Sequence, residues 1–340
     1  MLIAQGAIID IPKVGDPFCL TPAAKLAYED DKDSSEFLRE HFFADATKIA
    51  AAAALASNKS YAEILREYYD ADIHCIAEAA ARVGNEEYAE ELRGKGASFV
   101  MIAFGAARGG FSDYVEKLKE ENPGWEDPNT LSYYAALGEQ ETYVNQLLNN
   151  GADEMMVSCG YARAGRSDLI AQLQYVDSID VNILALAAAA GGQFEYVETL
   201  LSQGADVNIV AKGAAEGGYL SYVEKLRREN DINVYMIAHG AAKGGYYSYL
   251  EKLWEEASDR LEFINDVVKF VLCTELITKM SQLIACLSSC RLELFRAGFL
   301  EGCINSAEES HYSSSCSFFS SGLNSNDILE RVDGAYNPVR

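Results

Sequence analysis

A chain of 340 residues that is 49% apolar, with 20 Tyr, 14 Phe and only 6 Pro, has ample material for a packed core and is no disordered polymer. Its 28 Lys plus Arg stand against 52 Asp plus Glu, and the net charge of -24 repels phosphate backbones and anionic membranes, which excludes nucleic acid as the expected partner. No run of 18 uncharged apolar residues occurs, so no membrane span is expected.

Residues 1–20 carry Pro12, Gly15 and Pro17 and read as an irregular lead-in. Thr21-Pro22-Ala23-Ala24 then opens a helix, with Thr as the N-cap and Pro in the first turn. From there one phrase recurs. Ala-Ala-Ala-Ala-Gly-Gly-Gln-Phe-Glu-Tyr-Val-Glu-Thr-Leu at 187–200 returns as Gly-Ala-Ala-Glu-Gly-Gly-Tyr-Leu-Ser-Tyr-Val-Glu-Lys-Leu at 213–226 and again at 240–253. The aromatic before Val-Glu anchors a register through Phe37, Tyr61, Tyr88, Tyr114, Tyr143, Leu169, Tyr196, Tyr222 and Tyr249, a period of about 26 to 27 residues over about nine units. A unit so short cannot bury its own apolar face, so neighbours stack into an all-α solenoid of helix-turn-helix repeats spanning 21–258.

Within a unit, Ala211, Gly213, Ala214 and Ala215 make a thin first helix, and Gly217-Gly218 supplies the left-handed turn that ends it. The second helix places Tyr222, Val223 and Leu226 on one apolar stripe, with Glu224, Lys225, Arg227 and Arg228 outward. The recurring tyrosine is expected to pack in the core with its hydroxyl at the rim. After Trp254 helical spacing continues without the Gly-Gly turn, which predicts a helical cap over 259–305, followed by a Ser-rich tail at 306–340 expected to be flexible.

The Thr21-Pro22 opening, the short Ala-rich helix, the second helix ending in Leu-Leu, and Gly204-Ala205-Asp206-Val207-Asn208 between units together resemble the ankyrin repeat. The resemblance is most specific from Asn182 to Asn208. The period is shorter than the ankyrin length of about 33, so the connecting hairpins are expected to be clipped, with little or no β-structure. The resemblance implies a non-catalytic scaffold, a monomer that holds a partner protein on the concave face lined by its first helices. Degenerate arrays of this kind also resemble those that intracellular bacteria deliver into host cells, which would make the partner a host protein.

Positions that change freely between units are released from the scaffold. Ten residues before the anchors stand Ala51, Glu78, Phe104, Tyr133, Cys159, Leu186, Lys212 and His239; six before stand Leu55, Arg82, Arg108, Leu137, Arg163, Ala190, Glu216 and Lys243. The two positions are four apart, so they form two parallel rows on one helix face, expected to be exposed. Glu78, Arg82, Phe104, Arg108, Tyr133, Arg163, Leu186, Lys212, Glu216, His239 and Lys243 are the candidate partner-binding residues, and an acidic and apolar peptide or surface suits the Arg and aromatic middle. The competing reading is that these are ordinary surface residues of a spacer.

Nothing resembles Gly-x-Ser-x-Gly, a P-loop or His-Glu-x-x-His, and His41, His74 and His311 fit no triad, so no cofactor and no enzyme activity are expected. The alternative places chemistry at the C-terminus, where Cys286 and Cys290 share a helix face and Cys303 and His311 follow, enough ligand types for a metal though in no common zinc spacing. Three of the eight cysteines, Cys19, Cys75 and Cys159, stand singly along the chain, and no basic n-region opens Met1 to Ile11, so a cytoplasmic, reducing setting with free thiols is expected.

Overall fold

A computed structural model describes residues 21–42, 44–125, 127–173 and 179–257, together with Glu262, Phe263, Asp266 and Val267. The expected cap at 259–305, apart from those four residues, and the expected tail at 306–340 lie outside the described residues. The chain divides into two compact parts, Met1–Ile232 and Asn233–Arg340.

Among the described residues there are eighteen α-helices and no strand, so the expected all-α solenoid with clipped connections is what forms. The helices come in pairs. The first part holds α1 (Pro22–Tyr28) and α2 (Lys32–Phe42), α3 (Ala46–Leu55) and α4 (Lys59–Tyr69), α5 (Ile73–Arg82) and α6 (Glu86–Gly94), and α7 (Phe99–Gly109) and α8 (Ser112–Glu121). It continues with α9 (Pro128–Leu137) and α10 (Glu141–Asn149), α11 (Glu154–Ala164) and α12 (Ser167–Ile170), α13 (Val181–Ala190) and α14 (Phe194–Ser202), and α15 (Val207–Glu216) and α16 (Leu220–Glu229). The second part holds α17 (Val234–Gly244) and α18 (Tyr247–Glu256).

Each helix starts where its sequence allows. Thr21 Oγ1 accepts from the Ala24 N–H at 3.3 Å with Pro22 beside it, and Asp45, Asp72, Asp153, Asp180 and Asp206 each accept from the N–H two residues on. In every pair one residue with positive φ turns the chain into the second helix: Asp30, Ser57, Gly84, Gly110, Glu139, Gly165, Gly192, Gly218 and Gly245. At Gly218 (φ 79°) the lack of a Cβ makes that conformation cheap, as the sequence predicts.

This turn corrects the register of the first repeat. Asp30, Ser57 and Gly84 are evenly spaced, and Ser57 and Gly84 stand four residues before Tyr61 and Tyr88, so the place of the first anchor belongs to Ser34, not Phe37. Ser35 is fully buried and donates to the Ala23 carbonyl at 3.0 Å, whereas Phe37 is 52% exposed. An aromatic three residues downstream mimics the anchor in the sequence because the true position carries a serine.

In the first part the first helices stack in chain order from α1 to α15, each on the next. Their contact is backbone-close. A Cβ on Gly105 would lie 2.1 Å from the Glu78 carbonyl oxygen, and one on Gly138 would lie 1.8 Å from that of Arg108. Small residues are therefore a steric requirement of the stack, beyond their helix propensity. The core they form is largely Ala with single large side chains such as Ile49, Ile76, Ile102 and Leu131, all fully buried.

Two series of hydrogen bonds tie successive repeats. On the first helices, backbone N–H groups at the start of a repeat donate to a side chain of the repeat before: Asp72 to Thr47 Oγ1 (3.0 Å), Ser98 to His74 Nδ1 (2.9 Å), Asp153 to Asn129 Oδ1 (2.8 Å) and Asp206 to Asn182 Oδ1 (2.7 Å). On the second helices, buried anchor tyrosines donate to a carboxylate of the preceding second helix: Tyr61 to Glu36 (2.7 Å), Tyr88 to Glu63 (2.9 Å) and Tyr114 to Glu90 (2.8 Å). The rim placement of these hydroxyls thus has a partner built for it. The rung fails at Tyr143, whose buried hydroxyl has no hydrogen-bond partner, while Glu116 pairs with Lys119 at 2.9 Å.

Candidate partner-binding face

Seven consecutive first helices, α3 to α15, carry the two variable rows in the first part. Their side chains leave the stack from positions whose own carbonyls are covered by the following helix, as at Glu78 under Gly105, Arg108 under Gly138 and Arg163 under Gly191. This packing overturns the expectation that the rows are exposed. Phe104 is 8% exposed and Leu55 and Ala190 are buried, while Glu78, Arg82, Arg108, Tyr133, Arg163, Leu186, Lys212 and Glu216 are half-buried. Helices this close leave each side chain only the space above its neighbour.

Two connected clusters result. In the first, Phe104 stacks on Tyr134 with ring centroids 4.7 Å apart, and Trp125 closes on it edge-on to Phe99 at 5.4 Å. Glu78 sits under the field of Arg108 and Arg82; burial pushes its carboxyl above the usual carboxylate value, and the two guanidiniums oppose that rise. Burial also raises the Tyr134 phenol, with the Glu78 carboxylate adding to the effect. In the second cluster, Arg163 Nη1 lies 3.2 Å from Tyr133 Oη and 3.2 Å from Glu216 Oε1. The Tyr133 ring stands edge-on to Tyr134 at 5.3 Å, which joins the clusters.

The sequence reading missed Trp125 and Tyr134. Both left a signal. Tyr134 occupies the register position that is Ala52, Ala79, Gly105, Gly160, Ala187 or Gly213 in the other first helices from α3 to α15, where each packs on a preceding helix and close contact demands a small residue. Trp125 lies in the longest interval between anchors, from Tyr114 to Tyr143.

Other candidates fall elsewhere. His239 and Lys243 belong to the second part, where His239 Nε2 is 2.6 Å from Asp266 Oδ2 and Lys243 is exposed. His74 serves the scaffold through Ser98. Burial pushes the Cys159 thiol up to about 11, with Asp153 adding to it. No group of three potential metal ligands occurs among the described residues, and Cys286, Cys290, Cys303 and His311 lie outside them. A recess of about 330 Å³ lined by Leu26, Asp33, Ser34, Phe37 and Leu38 sits on the first helix pair, away from the rows. No described helix is long and apolar enough to cross a membrane.

The family model described as the ankyrin repeat matches residues 176–212, which take in α13, α14 and the start of α15. A search of curated proteins finds no match.

Proposed function

We propose that this chain, whose residues 176–212 match the ankyrin repeat, is a non-catalytic scaffold that binds a partner protein on the first-helix face between α5 and α15. A segment carrying acidic and apolar groups is the partner that suits it. Ankyrin repeats are protein-protein interaction modules in general. The observation that supports this use here is a local reversal of charge: from α3 to α15 the two rows hold Arg82, Arg108, Arg163 and Lys212 against Glu78 and Glu216, in a chain of net charge -24. Beside them lie Phe104, Tyr133, Tyr134 and Trp125, and Arg and aromatic groups dominate the energetics of protein interfaces. Stacked helices hold these groups in place, so little ordering entropy is spent when a partner docks. A reducing compartment, the cytoplasm, is part of the same proposal, and the free thiol of Cys159 agrees with it.

The test is selection of a random displayed peptide library on the full chain, followed by affinity measurement on wild type and on the combined Arg82→Gln, Arg108→Gln, Arg163→Gln variant, with circular dichroism checking both folds. Selected peptides should be rich in Asp or Glu next to apolar residues and should lose at least about tenfold in affinity on the variant, which corresponds to about 1.4 kcal/mol. Peptides without acidic residues, or with affinity indifferent to the three arginines, would move the binding site off this face.

A further inference from the structure

Arg163 reaches past its neighbour. It leaves α11, touches Tyr133 on α9, and pairs with Glu216 on α15, so its guanidinium crosses α13. Crossing is open because the residue of α13 at the same register position is Ala190, a buried methyl. Among the described residues, the ion pairs Lys59 to Glu91, Lys95 to Glu63, Arg93 to Glu121 and Arg166 to Glu139 each join adjacent repeats. Arg163 to Glu216 spans two steps and lies on the variable face.

The geometry on that face is that of a filled carboxylate site. Arg163 donates from the same Nη1 to the Tyr133 hydroxyl and to Glu216 Oε1, each at 3.2 Å, and a guanidinium's remaining donors suit a carboxylate as well. The Glu216 side chain is 8% exposed and that of Arg163 31%, so the pair is sheltered from solvent, where charge-assisted bonds are worth more. We infer that Tyr133 and Arg163 form the receptor for an acidic side chain of the partner, and that Glu216 occupies it in cis until the partner exchanges for it. The inference rests on the binding reading above. The exchange keeps an ion pair at Arg163 throughout, so its desolvation is not repeated when the partner arrives. The displaced carboxylate has Lys212 one turn earlier on its own helix.

A ligand that must displace an internal competitor binds more weakly by the fraction of molecules in which the site is open. The experiment takes an acidic peptide selected on the full chain and measures its affinity for wild type, Glu216→Gln, Arg163→Gln and the double variant, each with a urea unfolding curve. Glu216→Gln should tighten binding about five- to tenfold. That gain should vanish when the peptide's Asp or Glu is replaced by its amide and in the Arg163→Gln background. Should Glu216→Gln not fold, Glu216→Asp, which withdraws the carboxylate by one methylene and keeps the charge, should show a gain of the same sign. An acidic peptide that depends on Arg163 but binds a folded Glu216 variant no more tightly than wild type overturns the competition and leaves the binding face standing. Failure to select any peptide dependent on the arginines overturns both.

Discussion

Replacing Gly105 by alanine separates a steric account of the stack from one based on helix propensity. In an exposed helix interior the change stabilises by about 1 kcal/mol. At Gly105 the new Cβ would lie 2.1 Å from the Glu78 carbonyl oxygen and 2.9 Å from its carbon, both backbone atoms of α5. Ordinary contact begins near 3.4 Å, so α7 must withdraw from α5 by about 1 Å, and overpacking of this kind costs about 1–3 kcal/mol. Because no flexible side chain can yield, the upper part of that range applies, and the net result is a loss of about 1–2 kcal/mol. Gly94→Ala is the control. It stands at the end of α6 with nothing within 4 Å of the added methyl, and should gain up to about 1 kcal/mol. Urea titrations followed by circular dichroism compare the two midpoints and slopes. If Gly105→Ala unfolds at higher urea than wild type, as Gly94→Ala should, the close approach of α5 and α7 is refuted, and with it the half-buried setting of the rows.

Tyr88→Phe, which removes the bond to Glu63, should cost about 1 kcal/mol by the same titration, while Tyr143→Phe, whose hydroxyl is buried without a partner, should be neutral or stabilising. Burial raises the Glu63 carboxyl, but the bonds from Arg66, Lys95 and Tyr88 outweigh it and hold the group at about 2, below its ordinary 4.5. A depressed folded-state value means stability that is present above pH 4.5 and lost as pH falls toward 2, so acid titrations should show a shallower loss in Glu63→Gln than in wild type over that window. Ser57 holds φ 62° without a glycine's freedom, and Ser57→Gly should raise the urea-derived stability by about 0.5–1 kcal/mol.

Helix pairing, the clipped connections and the Gly-Gly turns were legible in the sequence because they recur at fixed intervals with a local cause, whereas the turns at Asp30, Ser57 and Glu139 carry no glycine to mark them. The first repeat misled because Phe37 imitates an anchor whose place Ser34 holds, and aromaticity alone cannot find a register carried by a serine. The candidate rows were legible as variable positions, but their depth was not. How far Glu78 or Phe104 sinks depends on the separation of neighbouring helices, which Gly105 and Gly138 set from the adjacent repeat. The reach of Arg163 over Ala190 to Glu216 is a contact 53 residues long, and no short-range pattern encodes it.

Among the described residues of the first part, the bonds between repeats whose donor carries no charge run one way. Asp72, Ser98, Asp153 and Asp206 donate backbone N–H groups backward, Tyr61, Tyr88 and Tyr114 donate hydroxyls backward, and the Gln140 and Gln193 amides donate to carbonyls of the preceding repeat. The salt bridges there point in both directions, Lys95 toward Glu63 and Arg93 toward Glu121. Each of these repeats of the first part therefore offers its lone pairs to the repeat synthesised after it. A chain emerging from the ribosome meets a surface of acceptors already in position, so the stack has a built-in direction of growth that matches the direction of translation.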